Sequence, residues 1–340
     1  MAWIGQDGRM NNLLIDLAAA SVGSTVLEAS DEFFGPKGRL VLDEAPVADP
    51  QRSAKHGVWM DGWETRRRRS PGHDWAIVRL GLRGVIRTVQ VDTTHFTGSH
   101  PDTCAVEAID MPGSPNIVDL VRARDRWIEL LPRLPAEPDS LNEYNVAGSG
   151  PVSHVRLVVY PDGGVARLRC FGDPVPPDGL LDGTTPVDLA AISSGARVID
   201  CSDAHFASPN QMLANGRPNG PRDGWLSRRR RSTGSDWALI RLAGIGRIER
   251  IAIDTSQFTG TAPGALSVEA ALAGPESHPA AFPWVPLLER TEVEEDQRQE
   301  FTELHDVGDV SHLRLSIHPD GGIGRFRAYG VSGRAWIDPV

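Results

Sequence analysis

SHVRLVVYPDGGVARLRCFG (153–172) returns at 311–330 as SHLRLSIHPDGGIGRFRAYG. Outward from that pair, the whole chain is written twice. SDEFF (30–34) returns as SDAHF (202–206), and DGWETRRRR (61–69) as DGWLSRRRR (223–231). HDWAIVRL (73–80) returns as SDWALIRL (235–242), and VDTTHFTGSHP (91–101) as IDTSQFTGTAP (253–263). The offset drifts only from 172 to 158 and the block order never changes. Such a period is too long for a solenoid unit, so each copy is a whole domain. The first is placed at 1–175 and the second at 176–340. The prolines, glycines and aspartates of FGDPVPPDGLLDGTTPVDLA (171–190) mark the linker between them.

Within a copy, strand signals dominate. WAIVRL, VIRTVQVDT, CAVEAI and VSHVRLVVY are short, rich in β-branched residues and partly alternating. PGHD, TGSHP, MPGSPN and PDGG separate them with turn chemistry. PDGG at 161–164 and 319–322 lies between two strand-like runs and reads as a hairpin turn whose glycine supplies positive φ. The best helical segments are Asn11 to Ala20 and the acidic stretch Glu289 to Glu303. A domain of many short strands is an antiparallel sandwich, so the expected fold is all-β, two tandem β-sandwiches from an internal duplication.

The chain has 340 residues, enough for two cores, and 40% of them are hydrophobic, which excludes a disordered chain. Its formal charge is −10, with 35 Lys+Arg against 45 Asp+Glu, which argues against nucleic-acid and anionic-membrane partners. Lys37 and Lys55 are the only lysines, so nearly every cation can grip a carboxylate with two parallel hydrogen bonds. Cys104, Cys170 and Cys201 are odd in number and widely spaced, with no CxxC or Cys/His zinc pattern. No run approaches the roughly 20 apolar residues of a membrane span, and the first 20 residues lack a signal-peptide core. A cytoplasmic protein is expected.

Arg66 to Arg69 and Arg228 to Arg231 each follow Asp-Gly-Trp and precede an Asp-Trp pair, Asp74-Trp75 or Asp236-Trp237. Arginines held between tryptophans and carboxylates are oriented, and an oriented arginine suits a small carboxylate ligand. Residues kept in both copies, such as Asp61/Asp223, Trp63/Trp225 and Phe96/Phe258, serve the fold, because both domains must fold. His154 and His312, each ahead of a strand, read as structural hydrogen-bonding histidines. The ionisable residues differ: Glu32 is matched by Ala204, Glu64 by Leu226, His73 by Ser235, His95 by Gln257 and His100 by Ala262. Histidine is the side chain best placed to move protons near neutral pH, so the chemistry is expected in the first copy. A divalent, Mn-like ion is a further option, with His95, His100, Asp31 and Glu32 as ligands, although the spacing matches no zinc motif. Walker A loops, GxSxG elbows and dinucleotide fingerprints are absent.

VLEASDEFF (26–34), WMDGWETRRRR (59–69), GHDWAIVRLG (72–81) and VDTTHFTGSHP (91–101) resemble the allantoicase family of purine (ureide) catabolism over nearly the whole chain. The resemblance implies two tandem jelly-roll domains of the galactose-binding-like type and a homo-oligomer. It also implies the reaction of allantoate with water to (S)-ureidoglycolate and urea. Gln257 and Leu226 depart from the first copy, so the second is not expected to hold a second full site.

The residues suit that chemistry. Allantoate carries a carboxylate, for which Arg66 and Arg68 are the candidates. Its two ureido arms offer N–H groups to Asp61, Glu64 and Asp74, with Thr97 and His100 close in sequence. Replacing one arm by hydroxyl needs an acid and a base rather than a nucleophile. His95 or His73 is assigned as acid and Asp31 or Glu32 as base. The competing readings are a non-catalytic tandem sandwich binding a sugar or small polar ligand, its tryptophans stacking on the rings, and an interaction module built around Glu289 to Glu303.

Overall fold

The computed structural model describes residues 13–49, 51–54, 56–274 and 277–335. The chain divides into two compact units, Ile15–Asp173 and Pro174 onward. Both are built almost wholly from antiparallel strands. The fold is all-β, as the duplicated strand blocks predict.

Each unit is organised by one 19-residue strand, Asp74–Asp92 or Asp236–Asp254. The two runs that read as separate strands, WAIVRL and VIRTVQVDT, are therefore halves of one element. The first half of Asp74–Asp92 pairs with Val152–Tyr160 on one side and Thr25–Ala29 on the other. Val152–Tyr160 continues that layer to Thr103–Ile109, which pairs with Ile128–Pro135. The second half pairs with Leu141–Asn145 and Arg167–Pro174, and the last of these also takes Ile15–Asp16. The strand changes layers at its middle glycines. A Cβ on Gly84 would lie 2.4 Å from the Asp173 carbonyl oxygen, and one on the equivalent Gly246 would lie 2.2 Å from that of Val331. Only glycine lets the backbones approach so closely.

Alternation along the long strand buries Ala76, Val78, Leu80, Ile86, Val89 and Val91. Trp63 and Phe96, and their counterparts Trp225 and Phe258, are fully buried among them. Burying an aromatic of this size is worth roughly 2–3 kcal/mol in transfer terms, which is reason enough for both copies to keep them. Cys104 and Cys170 are buried free thiols and Cys201 is half-buried.

Three local expectations are corrected. PDGG does not close a hairpin. The strands it joins, Val152–Tyr160 and Arg167–Pro174, lie in different layers, and the turn is an arch between them. Residues 11 and 12 of the expected Asn11 to Ala20 helix lie outside the described residues, and the remainder forms a turn, the short strand Ile15–Asp16 and the start of a 3-10 turn. Asp16 carries its carboxylate back to the Ala18 N–H, local bonding that competes with a helix. The acidic stretch Glu289 to Glu303 is two strand segments, Val285–Glu292 and Arg298–Phe301. The α-helix Ile117–Arg122 is closed by a capping box between Asn116 and Asp119, and its six residues are too few for a strong periodic signal.

Candidate active site in the first unit

The short strand Trp63–Glu64 holds four loops together. It pairs with Gly164–Val165 across the arch, and Gly35 bridges to Glu64 from the 30–35 loop. The Trp63 indole N–H donates to the Asp31 carbonyl at 2.7 Å. Phe96, from the 93–100 turn, presses on the arch so closely that a Cβ on Gly164 would lie 2.1 Å from its ring. These contacts place residues 30–35, 61–69, 93–100 and 161–165 around one another.

Two arginines of the run, Arg66 and Arg68, are oriented by carboxylates. The Arg66 guanidinium meets the Asp31 carboxylate at 2.6 Å, and the other Asp31 oxygen accepts the Phe33 and Arg66 backbone N–H groups at 3.0 Å. Arg68 donates to Asp74 at 2.9 Å, and its backbone N–H to Asp162 at 2.8 Å. Ser30 completes the shell of the buried Asp74 at 3.0 Å. Partial burial raises the Asp31 pKa, but the two backbone donors and Arg66 outweigh it and hold the carboxyl below its ordinary value. A carboxylate so held is a poor base.

The second unit repeats this bonding. Arg228 meets Asp203 at 2.7 Å, Arg230 meets Asp236 at 2.5 Å, and Trp225 donates to the Asp203 carbonyl at 2.8 Å. Asp61 belongs to the same shared frame. Its carboxylate takes the buried Arg167 at 2.9 Å, as Asp223 takes Arg325 at 2.9 Å. Burial raises the Asp61 pKa and Arg167 with the Val47 N–H more than offsets it, so the carboxyl stays low. Arg167 carries no motif of its own in the sequence and is legible there only by its repetition as Arg325.

Glu64 is different. Its side chain is half-buried, no cation pairs with it among the described residues, and its hydrogen-bond partner there is Ser99. Burial pushes its carboxyl above the ordinary glutamate value, against the smaller opposing effect of Ser99. Leu226 occupies the equivalent place and pairs with Gly322 as Glu64 pairs with Gly164. His95 sits in the same turn as Ser99, at φ 72° with its N–H on Asp139 at 2.7 Å. Gln257 repeats that backbone at φ 74° with its N–H on Asp296 at 3.0 Å. The strained turn therefore serves the fold, and only the side chain changes. The His95 ring lies 3.4 Å from the Pro46 carbonyl, one residue before the Val47 N–H that donates to Asp61 at 3.1 Å.

Pro46 and Val47 belong to a segment peculiar to the first unit. Between the 3-10 turn Lys37–Val41 and Asp61, the first copy is ten residues longer than the second is between Pro209–Leu213 and Asp223. The longer segment carries Arg52, His56 and Trp59. Arg39, on the preceding turn, stands where Gln211 stands in the second copy.

The other predicted residues stand apart. Glu32 is exposed and accepts from the Lys37 N–H at 3.0 Å and ammonium at 3.3 Å. His73 is exposed with its ring 5.2 Å from that of Tyr160, on the Asp74 side. Thr97 is exposed and half-buried His100 has a buried Nδ1 without a hydrogen-bond partner among the described residues. Among the described residues no group of three or more His, Cys, Asp or Glu side chains is placed to hold a metal ion. His95, His100, Asp31 and Glu32 are accordingly not gathered as a ligand set.

The fold and this loop cluster define a duplicated β-sandwich protein with two unequal copies of one polar frame. Among the described residues, the first copy places a partly buried carboxyl without a paired cation, Glu64, at the strand beside the arch, where the second has Leu226. An allantoicase-repeat family model matches residues 15–175 and again 187–333. The chain is 44% identical over 321 residues to a "Probable allantoicase" of Nocardia farcinica, covering 94% of this chain and 95% of the relative. It is 39% identical to "Probable allantoicase 1" of Burkholderia mallei, covering 93% and 94%. The crystal structure of allantoicase from Saccharomyces cerevisiae superposes with a TM-score of 0.79 at 32% identity, covering 94% of each chain. The chain belongs to the allantoicase family. The sugar-binding reading is not favoured, and Trp63 and Trp225, fully buried in the two cores, offer no stacking surface.

Proposed function

We propose that the protein hydrolyses allantoate to (S)-ureidoglycolate and urea, and that the chemistry belongs to the first unit. One observation carries the placement: Glu64 is a partly buried carboxyl with a raised pKa and no cation paired with it among the described residues, and the second unit has Leu226 in its place. Perturbed carboxyls of this kind are what acid–base sites use.

The assignment moves from Asp31 or Glu32 to Glu64 as base, because Arg66 and Lys37 already hold the other two. His95 is the acid. In the first step the Glu64 carboxylate takes the N–H proton of the retained ureido arm. The C–N bond to the other arm breaks, and the His95 imidazolium protonates the departing urea nitrogen. The product is an N-carbamoyl imine. In the second step water attacks the central carbon, neutral His95 takes its proton, and protonated Glu64 returns a proton to the imine nitrogen. Both groups are restored, and one molecule of water is consumed for each urea released. Attack from one side of the held imine gives a single enantiomer.

A cytoplasmic homo-oligomer is part of this reading. It is supported by the family resemblance, and no helix among the described residues is long and apolar enough to cross a membrane. Purified protein given allantoate should release urea and (S)-ureidoglycolate in equal amounts. Urea without ureidoglycolate, or neither product, would overturn the assignment.

A further inference from the structure

The frame described above leaves the substrate carboxylate without a partner, since Arg66 and Arg68 are committed to Asp31 and Asp74. The longer segment of the first unit supplies an alternative. The Trp59 side chain is buried to 8% exposure, yet its indole N–H has no hydrogen-bond acceptor among the described residues. The Arg39 guanidinium lies 5.1 Å from that indole ring and the Arg52 guanidinium 4.4 Å. A buried N–H without a partner costs about 1–3 kcal/mol, so it marks a place where something else is meant to bind.

The charge around Trp59 points the same way. Burial lowers the Arg39 pKa, and the neighbouring Arg52 and Arg167 lower it further against the attraction of Asp61. Asp61 is already neutralised by Arg167 at 2.9 Å. Arg39 donates to the Met60 carbonyl, whereas the Arg52 guanidinium has no hydrogen bond or ion pair among the described residues. Two guanidiniums beside one indole are thus left with excess positive charge and unused donors. A planar carboxylate satisfies all three groups, because each of its oxygens accepts two hydrogen bonds.

The second unit is the internal control. It has Gln211 for Arg39, its segment is ten residues shorter, and Pro221 stands two residues before Asp223 where Trp59 stands two before Asp61. It nevertheless keeps the Asp61–Arg167 pair as Asp223–Arg325. Folding therefore needs the pair and does not need the cluster. The cluster also adjoins the proposed chemistry: the His95 ring touches Pro46 of the same segment, and Val47 bonds Asp61.

We propose that Arg39, Arg52 and the Trp59 indole N–H form the carboxylate-binding subsite for the substrate. This rests on the reading of the protein as an allantoate hydrolase. Arg52→Gln is the sharpest test, since its guanidinium bonds no described residue. The expected result is a KM for allantoate raised about 10- to 100-fold with kcat largely kept and an unchanged melting temperature, the range set by a charge-assisted hydrogen bond. Trp59→Phe keeps the ring and removes the N–H, and should raise KM about tenfold. Methylenediurea, which is allantoate without its carboxylate, serves as the neutral competitor. Its inhibition constant in Arg52→Gln should stay within about a factor of two of wild type, because a lost carboxylate contact does not touch it. Wild-type kcat/KM in both variants would overturn the subsite, as would a fall in kcat matching the rise in KM together with a lowered melting temperature. A wild-type protein inactive on allantoate would instead overturn the functional reading itself.

Discussion

The two units share a frame and differ in what the frame holds. Each has a carboxylate–arginine pair beneath a buried tryptophan, a second pair under the arch and a left-handed turn before a buried phenylalanine. The differences are Glu64 for Leu226, His95 for Gln257, Arg39 for Gln211 and the segment with Arg52 and Trp59. Conspicuous charge is therefore a poor guide to chemistry in this protein. The arginine runs are the loudest motif in the sequence, and they hold loops. The groups proposed to act are those that folding alone does not require twice.

The largest expected effect comes from imposing the second copy's residue on the first. Glu64→Leu should lower kcat by about 10²–10⁴-fold, the usual worth of a proton-transfer group, with little change in stability. Leu226→Ala should leave turnover as it was. Steady-state kinetics on both variants would break the comparison if the two losses matched.

Next come changes to the shared frame. Arg167→Met removes the partner of Asp61 and should cost about 3–5 kcal/mol in urea denaturation, because a buried charge is left uncompensated. Arg325→Met should cost less, since the Asp223 side chain is 27% exposed against 11% for Asp61. Equal costs would show that solvent access does not separate the two pairs. Gly164→Ala and Gly322→Ala should each lose about 1–3 kcal/mol, for the new methyl meets a buried phenylalanine ring in both units.

The smallest effect is a pH dependence that the units share. Burial, reinforced by Arg79, pulls His154 down to about 4, and burial with Arg241 and Arg197 pulls His312 down to about 3. Each ring nitrogen Nδ1 instead meets its neighbouring serine hydroxyl at 2.9 Å. The unfolded chain binds a proton at each near pH 6.5, which the folded chain refuses. Their contribution is complete above that pH and is lost as pH falls toward 4 and 3. The melting temperature should drop by a few degrees between pH 7 and 5, and His312→Asn should flatten part of that slope. A slope unchanged in the variant would remove His312 from the account.

Much of this organisation is legible in the amino-acid sequence. The repeated blocks carry the fold class and the tandem units. They also mark Trp63, Phe96 and His154 as structural, and the exchanges at Glu64 and His95 set the first unit apart. Partnership is not legible. A sequence shows that Arg66 is a cation and not that Asp31, 35 residues away, already holds it. The Arg39, Arg52 and Trp59 cluster does leave a trace. The offset between copies falls from 172 at SDEFF to 162 at DGWETRRRR, so the extra residues of the first copy lie between those blocks. The acidic stretch 289–303 misleads because its pattern is set by cross-strand pairing with distant residues, which local composition does not encode.

One working site per chain, built on the first unit, is what the inequality of the two copies implies. Isothermal titration of allantoate into the Glu64→Gln protein tests it directly, because the substrate would bind without being consumed. One molecule bound per chain, with binding weakened by adding Arg52→Gln, is the predicted result. Two molecules per chain, or turnover undiminished by Glu64→Gln, would contradict it.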